Sequence, residues 1–398
     1  MLYQIIRPLP LSFLLGYRIK ISSLLWTGNV EIHICGTDWT RHGHHLDPAY
    51  ENVILHVVAR DPVPVFTCSG RRIPTLVLTI PKTIETEQYP LMQDTRWLSC
   101  HPFILGISRA EFQRWLTRLM EEREKGKTRR ICQILKDTSC DWEECLHLIL
   151  ASALGLPVNR LPMELTLSGI PFKLLMERRH NRTEIEAMLF GQSGLLQIPP
   201  HKSSYQKRLL QLHSGFESLM TGPGTQPHLW KFLRLRPSSF PTLRLSQLAS
   251  LVHLRYPLLE SILDCHSLTE IEQVLRVKAG EYWDTHYLFG KPSPEKEKYL
   301  GEQSISHLIV NAVIPLLLVM GEYTSSVKCL QMASALLSDL RAESNSIIRA
   351  WKSQGIIPKN AFESQALLHL YREYCTRGRC MECSIGRKLI ESGIKNGL

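Results

Sequence analysis

The stretch that decides the fold spans residues 28–35 and reads Gly28-Asn29-Val30-Glu31-Ile32-His33-Ile34-Cys35. Its apolar and polar residues alternate, which is the two-residue period of a β-strand rather than the 3.6-residue period of a helix. Because side chains two residues apart share one face of a strand, the alternation predicts a core-facing row made of Val30, Ile32 and Ile34. The opposite row, made of Glu31, His33 and Cys35, then holds a carboxylate beside an imidazole.

Neighbouring runs predict the rest of a small mixed sheet. Short segments rich in Val and Ile predict strands at Arg18–Ile21, Val53–Val58 and Thr75–Ile80. The turn-forming residues of Trp26–Asn29 predict that the strand before them and the strand of Glu31 form a hairpin. We therefore predict a His-rich β-sheet or α/β domain over residues 1–85.

The pattern changes after residue 81, where apolar residues recur at spacings of three and four, as is typical of helices. Four capping-box pairs indicate helix starts, namely Ser108 with Glu111, Asp141 with Glu144, Thr183 with Glu186 and Ser267 with Glu270. We predict a connector over residues 86–105 and a mostly α-helical domain over residues 106–398. The expected fold class is α+β, with a small mixed N-terminal sheet followed by a large helical part.

Composition limits the class of protein. The 398 residues are 44% hydrophobic and 21% charged, which excludes a disordered tail, a collagen and a coiled coil. Eleven cysteines are too few for a secreted disulfide framework and no export signal is found, so we predict a cytoplasmic protein. The longest apolar run, Leu308–Met320, is shorter than the roughly 18 residues of a membrane span, so we predict a buried core helix and no membrane partner.

The formal net charge of +10 predicts attraction to polyanions such as nucleic acid. From Trp230 to Arg236, apolar residues alternate with basic ones, a pattern that can stack on bases and neutralise phosphates. The candidate nucleic-acid contacts are Lys231, Arg234 and Arg236. A helix edge whose long basic side chains cover apolar surface has the same pattern, and both interpretations stay open.

Five of the 16 histidines lie between residues 33 and 56. Glu31 and His33 are candidate catalytic residues, because an acid and an imidazole on a rigid strand can form an acid/base pair or bind a divalent metal such as Mg²⁺ or Mn²⁺. The candidate metal ligands are Glu31, His33, His42, His44, His45 and Asp47. The alternative is a structural hydrogen bond with solvated loop histidines, while His56 is either a satisfied core histidine or a further ligand.

A second cluster of possible ligands lies near the end of the chain, in the order Cys-x4-Cys-x2-Cys, and consists of Cys375, Cys380 and Cys383. Two thiolates across a tight turn can bind one ion, so the cluster predicts a zinc site or, as the alternative, an iron-sulfur cluster. Three cysteines are one ligand short, and Cys329, Cys35, a histidine or an exogenous ligand could complete the site. Three reduced thiols are the structural alternative, and Cys100 is interpreted as an isolated core or surface residue.

The sequence resembles a family of bacterial proteins known as domain of unknown function 2851. The resemblance covers the whole chain and rests on Gly28–His33, Asp38-Trp39, His42, His44-His45, Asp47, Tyr50, Val53–Val58, Glu186–Gln192, Arg236–Pro241 and Tyr374–Gly386. The resemblance implies membership of this family but no particular activity or mechanism.

A weaker resemblance concerns the predicted hairpin alone. Its end, Glu31-Ile32-His33, is similar to the acid-x-Lys arm of the PD-(D/E)XK nuclease fold, with His33 in the place of the lysine. That resemblance implies Mg²⁺ held by this acid and by a second acid on the preceding strand. No Asp or Glu precedes Glu31, so either Asp38 or Asp47 substitutes, the chain is a degenerate member or its start is misplaced.

These observations together predict a metal-dependent phosphodiesterase or nuclease-like hydrolase with its site at Glu31 and His33. The alternative is a non-enzymatic module that binds nucleic acid or protein and contains a structural metal site.

Overall fold

The computed structural model describes residues 13–21, 24–79, 97–98, 100, 104, 106–197 and 203–388. The chain divides into two compact units, and each consists of more than one stretch. The first unit comprises residues 1–119, 344–357 and 366–398, and the second comprises residues 120–343 and 358–365. The cysteine-rich segment near the end therefore belongs to the same unit as the sheet. The domain boundaries expected at residues 85 and 105 stay predictions.

The strands of the first unit form one four-stranded sheet and one short ribbon. Their bounds are β1 Phe13–Ile21, β2 Leu24–Cys35, β3 Val53–Arg60, β4 Val65–Phe66, β5 Arg72–Ile73 and β6 Thr75–Val77. The main sheet has the order β1-β2-β3-β6, in which β1 and β2 are antiparallel and β3 is parallel to both β2 and β6. The ribbon pairs β4 with β5. The predicted mixed sheet and the α+β class are confirmed.

The hairpin is present, but the prediction of a turn at Trp26–Asn29 is wrong. Trp26 pairs with Ile19 and Leu24 pairs with Ile21, so residues 26–29 are part of strand β2. The amide of Asn29 also donates to the carbonyl of Asn52, 2.7 Å away, at the start of the pairing with β3. Strand pairing on both sides of β2 outweighs the local turn preference of Gly-Asn.

The two faces of β2 differ as predicted, with one exception. Val30 and Ile32 are buried and form a core cluster with Val57 of β3. Ile34 is 46% exposed, so its prediction as a core residue is wrong. Among the described residues the pairing of β1 with β2 ends at Glu31, so Ile34 lies beyond it on that side.

The helices follow in chain order. They are α1 Asp38–Arg41, α2 Arg109–Asp137, α3 Trp142–Leu154, α4 Leu156–Ser168, α5 Phe172–Glu177, α6 Arg182–Gln192, α7 Ser204–Ser214, α8 Pro241–Arg255, α9 Leu258–Leu263, α10 Leu268–Leu275, α11 Glu302–Leu308, α12 Ile314–Thr324, α13 Val327–Asp339, α14 Ser346–Ser353 and α15 Ala361–His369. Two π-helical turns, Ile309–Val313 and Leu370–Cys375, extend α11 and α15. A small hairpin of β7 His286–Leu288 and β8 Lys291–Pro292 lies between α10 and α11.

The helix starts test the capping predictions. Asp141 and Ser267 each accept a hydrogen bond from the amide three residues later, as predicted. Thr183 does not cap α6, because that helix begins one residue earlier and Asn181 is its cap. Glu186 is buried instead and accepts hydrogen bonds from the hydroxyls of Tyr205 and Ser246, both at 2.5 Å.

The apolar run at residues 308–320 lies in a helix that spans Glu302–Thr324. By length and composition alone this is the one helix among the described residues that could cross a membrane. However, 72% of its most apolar window is buried inside the protein, which confirms the predicted core helix.

Candidate functional site

The pairing of β2 with β3 brings the acid together with the histidines. In the parallel register Glu31 lies opposite His56, and His33 lies opposite Val58. Helix α1 follows β2, and Gly43 then adopts a φ of +77°, a left-handed conformation that glycine accepts without strain. This turn places His42 and His44 against the His33 ring, with ring centroids 5.2 and 5.3 Å away.

The carboxylate lies between two imidazoles. Oε1 of Glu31 is 3.5 Å from Nε2 of His33 and 3.7 Å from Nε2 of His44. One ligand nitrogen from each of His33, His42 and His44 lies within 4.8 Å of the other two. The predicted convergence of Glu31, His33, His42 and His44 is therefore present in the fold.

Burial favours the neutral form of two of these rings, His33 and His44. Glu31 is 1% exposed and His33 is 7% exposed, whereas His42 is exposed and forms the solvent side of the cluster. Burial, followed by the charges of His56, His44 and His42, lowers the pKa of His33 from 6.5 to about 3. Burial also lowers the pKa of His44. At neutral pH these two rings are therefore uncharged, and a neutral imidazole has a lone pair that is available to a metal.

His56 holds the ring of His33 through a hydrogen bond. Nδ1 of His33 and Nε2 of His56 are 2.9 Å apart, and His56 is completely buried. Burial, more than the nearby charge of His44, lowers the pKa of His56 to about 4, so this ring is neutral too. His56 is thus a core histidine hydrogen-bonded through Nε2, while its buried Nδ1 has no hydrogen-bond partner among the described residues.

Two aromatic residues complete the cluster, and sequence analysis assigned neither of them a role. Tyr50 stacks on His44 with ring centroids 3.8 Å apart. Trp39 is buried edge-on to His33 and His56, and its indole N–H donates to the carbonyl of Phe66 at 3.0 Å. The positions of Trp39 and Tyr50 follow no helical or strand periodicity, so the sequence did not predict their place in the site. Both belong to the connection between β2 and β3, which folds back over the histidines.

The other predicted residues of this region are outside the three-histidine group. His45 is half-buried, and Asp47 is exposed but close enough for its charge to raise the pKa of His44, against the larger effect of burial. Asp38 accepts from the amide of Cys35 at 3.2 Å and pairs with Arg41 at 2.7 Å, so its carboxylate holds α1 in place. A cavity of about 540 Å³ in this unit is lined by other residues, including Pro62 and Arg72.

One comparison with known proteins assigns a family. The model of the family described as "Protein of unknown function (DUF2851)" matches residues 14–346. The chain therefore belongs to the DUF2851 family. No curated protein and no solved structure matches it. The family match includes the whole histidine site and ends before the cysteine cluster of this DUF2851 member.

The C-terminal cysteines of this DUF2851 protein have a fourth thiol beside them. Cys375 and Cys380 are half-buried and Cys383 is buried. Burial, and then the charges of Cys383 and Cys380, raise the pKa of Cys100 to about 12, so Cys100 lies near these thiols. Its interpretation as a single core or surface residue stays a prediction.

The predicted nucleic-acid contacts lie on a loop of the second unit. Lys231, Arg234 and Arg236 are exposed, and residues 231–236 are not helical, so the alternative of a helix edge is wrong. The loop is anchored by Asn159, which exchanges two hydrogen bonds with the backbone of Lys231 at 2.7 and 2.8 Å. The backbone of the loop is thus held in place, and its three basic side chains are in solvent.

Proposed function

We propose that this protein is a metal-dependent hydrolase whose site is formed by His33, His42 and His44 together with Glu31. The observation that carries the proposal is the convergence of three imidazole nitrogens within 4.8 Å, beside a buried carboxylate. Catalytic metal sites typically have three protein ligands and leave one coordination position open. Burial lowers the pKa of His33 and of His44, which favours the neutral rings that bind metal and fits that arrangement.

The chemistry of the donors narrows the choice of metal. Imidazole nitrogen suits transition metals such as Zn²⁺ and Fe²⁺, whereas Mg²⁺ prefers oxygen ligands. Nε2 of His33 is buried and, apart from the Glu31 oxygen 3.5 Å away, has no polar partner among the described residues, which suits an atom that has a metal as its partner. We therefore propose Zn²⁺, or Mn²⁺ with a Glu31 oxygen as a further ligand, rather than Mg²⁺.

Glu31 is the proposed general base. A bound divalent metal supplies Lewis-acid chemistry at such a site. The Glu31 carboxylate is held by β2 at 3.5 and 3.7 Å from two of the ligand rings, so it can accept a proton from a water molecule beside them. His56 holds the ring of His33 in the orientation that this arrangement requires.

A phosphodiester is the proposed substrate class. The net charge of +10 and the exposed basic loop support a polyanionic substrate. The antiparallel β1-β2 pair followed by the parallel strand β3 is compatible with the suggested resemblance to the nuclease fold. We also propose a bacterial, cytoplasmic protein, and the eleven cysteines support this because all of them are free thiols.

The test is cleavage of DNA and RNA by the purified full chain with Mn²⁺, Zn²⁺ or Mg²⁺. We expect cleavage with Mn²⁺ or Zn²⁺, and we expect Glu31→Gln and Glu31→Ala to abolish it while the circular dichroism spectrum is unchanged. Glu217→Gln removes an exposed carboxylate of the second unit and is the matched control. Full activity of both Glu31 variants would refute the assignment.

The alternative, a nucleic-acid-binding module without catalysis, is favoured by the exposed basic loop alone. It predicts binding that weakens steeply with salt, because phosphate contacts compete with counterions, and no cleavage with any metal. Measurement of both binding and cleavage on the same preparation separates the two functions.

A further inference from the structure

The segment that contains Cys100 lies beside the segment that leads to Cys375. Trp97, three residues before Cys100, stacks on Tyr371, four residues before Cys375, with ring centroids 4.9 Å apart and an angle of 17° between the rings. Trp97 also contacts Trp351 edge-on at 5.2 Å. Aromatic stacking of this kind fixes the two backbones next to each other, so the proximity of the thiols has a structural cause.

Two further contacts hold the cysteine turn at its ends. At its start, Tyr374 packs edge-on against Trp115 of α2, with ring centroids 5.5 Å apart. At its end, Lys388 forms an ion pair with Glu111, also of α2. Both residues of α2 follow Cys100 closely in the sequence, so the turn is held against the segment that carries the fourth thiol.

The turn itself is compact. The amide of Cys383 donates to the carbonyl of Cys380 at 3.2 Å, and the amide of Gly378 donates to the carbonyl of Cys375 at 3.3 Å. Gly378 has a φ of +62°, which favours glycine, and a side chain at Gly386 would collide with the carbonyl of Cys380. This close Cys-x2-Cys turn is the backbone arrangement that directs two sulfurs at one ion.

The geometry brings the four cysteines to neighbouring segments of one unit. Cys375, Cys380 and Cys383 come from one compact turn, and the stacking of Trp97 on Tyr371 places the segment of Cys100 beside the segment that leads to it. A thiophilic metal binds thiolates directly and neutralises their charge, so a metal centre could join the two segments.

We propose that Cys100, Cys375, Cys380 and Cys383 together bind one thiophilic metal centre, either a zinc ion or an iron-sulfur cluster, with Cys100 as the ligand that completes the set. Both centres are held by four cysteine thiolates. The centre is a structural staple that joins the end of the chain to the segment before α2. It is independent of the histidine site and of the proposed hydrolase activity.

The test is metal analysis of the full chain, purified without oxygen. The background is His44→Ala, so that metal at the histidine site is not counted. We expect either one zinc per chain, or iron with acid-labile sulfide and a visible absorption band. Cys100→Ser is expected to lose at least nine-tenths of this metal. The matched control, Cys329→Ser, removes a buried thiol of the second unit and is expected to keep all of it.

A thiol titration of the parent protein tests the proposal without relying on a variant, which could lose metal simply because it does not fold. In the folded parent protein, four of the eleven thiols are expected to become reactive toward a thiol reagent when a strong chelator removes the metal without unfolding the chain. A parent protein without zinc or iron would overturn the proposal. Equal metal content in Cys100→Ser and Cys329→Ser would overturn the role of Cys100.

Discussion

His56 offers a sharp test of the metal site, because it touches the proposed ligand His33 without belonging to the ligand set. The two ring nitrogens are 2.9 Å apart and both rings are neutral. A neutral ring has one N–H, so a His33 Nδ1–H that donates to His56 leaves the lone pair of Nε2 free for the metal. His56→Leu removes the acceptor, and the His33 ring can then rotate or change tautomer.

The loss of such an orienting partner lowers metal affinity by roughly 10- to 100-fold. At about 1.4 kcal/mol for each factor of ten, the variant is expected to lose about 1.4 to 2.8 kcal/mol of binding free energy. The removal of a ligand itself, as in His44→Ala, is expected to cost more, because the metal then has two imidazoles instead of three.

The assay is competition for Zn²⁺ or Mn²⁺ with a chromophoric chelator at neutral pH, with circular dichroism as the check on folding. His56→Gln is the matched variant, because its amide oxygen can replace Nε2 as the acceptor, and it should keep most of the affinity. A folded His56→Leu protein with the affinity of the parent would refute the role of the hydrogen bond. An unchanged affinity in His44→Ala would refute the site as a whole.

Three further outcomes are expected. In the folded protein the pKa values of His33 and His56 are about 3 and about 4, against 6.5 in the unfolded chain. As the pH falls below 6.5, the unfolded chain therefore binds protons before the folded protein does. The free energy of unfolding decreases with pH until the pH reaches the folded-state pKa values. Between pH 7 and pH 5 the loss is about 2 kcal/mol for each ring taken alone, and urea unfolding across this range should show a smaller slope in His56→Leu. Gly28→Ala places a methyl group against the side chain of Ile54 and 2.6 Å from the carbonyl of Asn52, at a cost of roughly 1–3 kcal/mol in urea unfolding. Gly126→Ala, on an open face of α2, should instead stabilise by roughly 0.5–1 kcal/mol, and equal effects of the two substitutions would contradict this packing. A triple alanine variant of the basic loop replaces Lys231, Arg234 and Arg236. If these side chains contact phosphates, the variant should lower the slope of log affinity against log salt concentration by about three. An unchanged slope would exclude the loop from nucleic-acid binding.

The sheet was the most predictable part of the fold. The alternation at residues 30–33 predicted the strand and the face shared by Glu31 and His33, and both are present. The same local reasoning failed at Trp26–Asn29, where pairing with β1 and β3 overrides the turn preference of Gly-Asn. It also failed at Ile34, because alternation predicts which face a side chain is on but not what covers it there.

The candidate sites, like the fold, were predicted in part from the sequence and decided in part by the tertiary structure. Sequence position alone determined that Glu31 and His33 project together, because the pleat of a strand fixes which residues share a face whatever surrounds it. Only the tertiary structure decided that His42 and His44 join them, that His56 is hydrogen-bonded to His33 and that the segment of Cys100 lies beside the segment of Cys375. These meetings depend on strand register and on aromatic packing between distant segments, and both are set by burial across the whole unit rather than by any short stretch of residues.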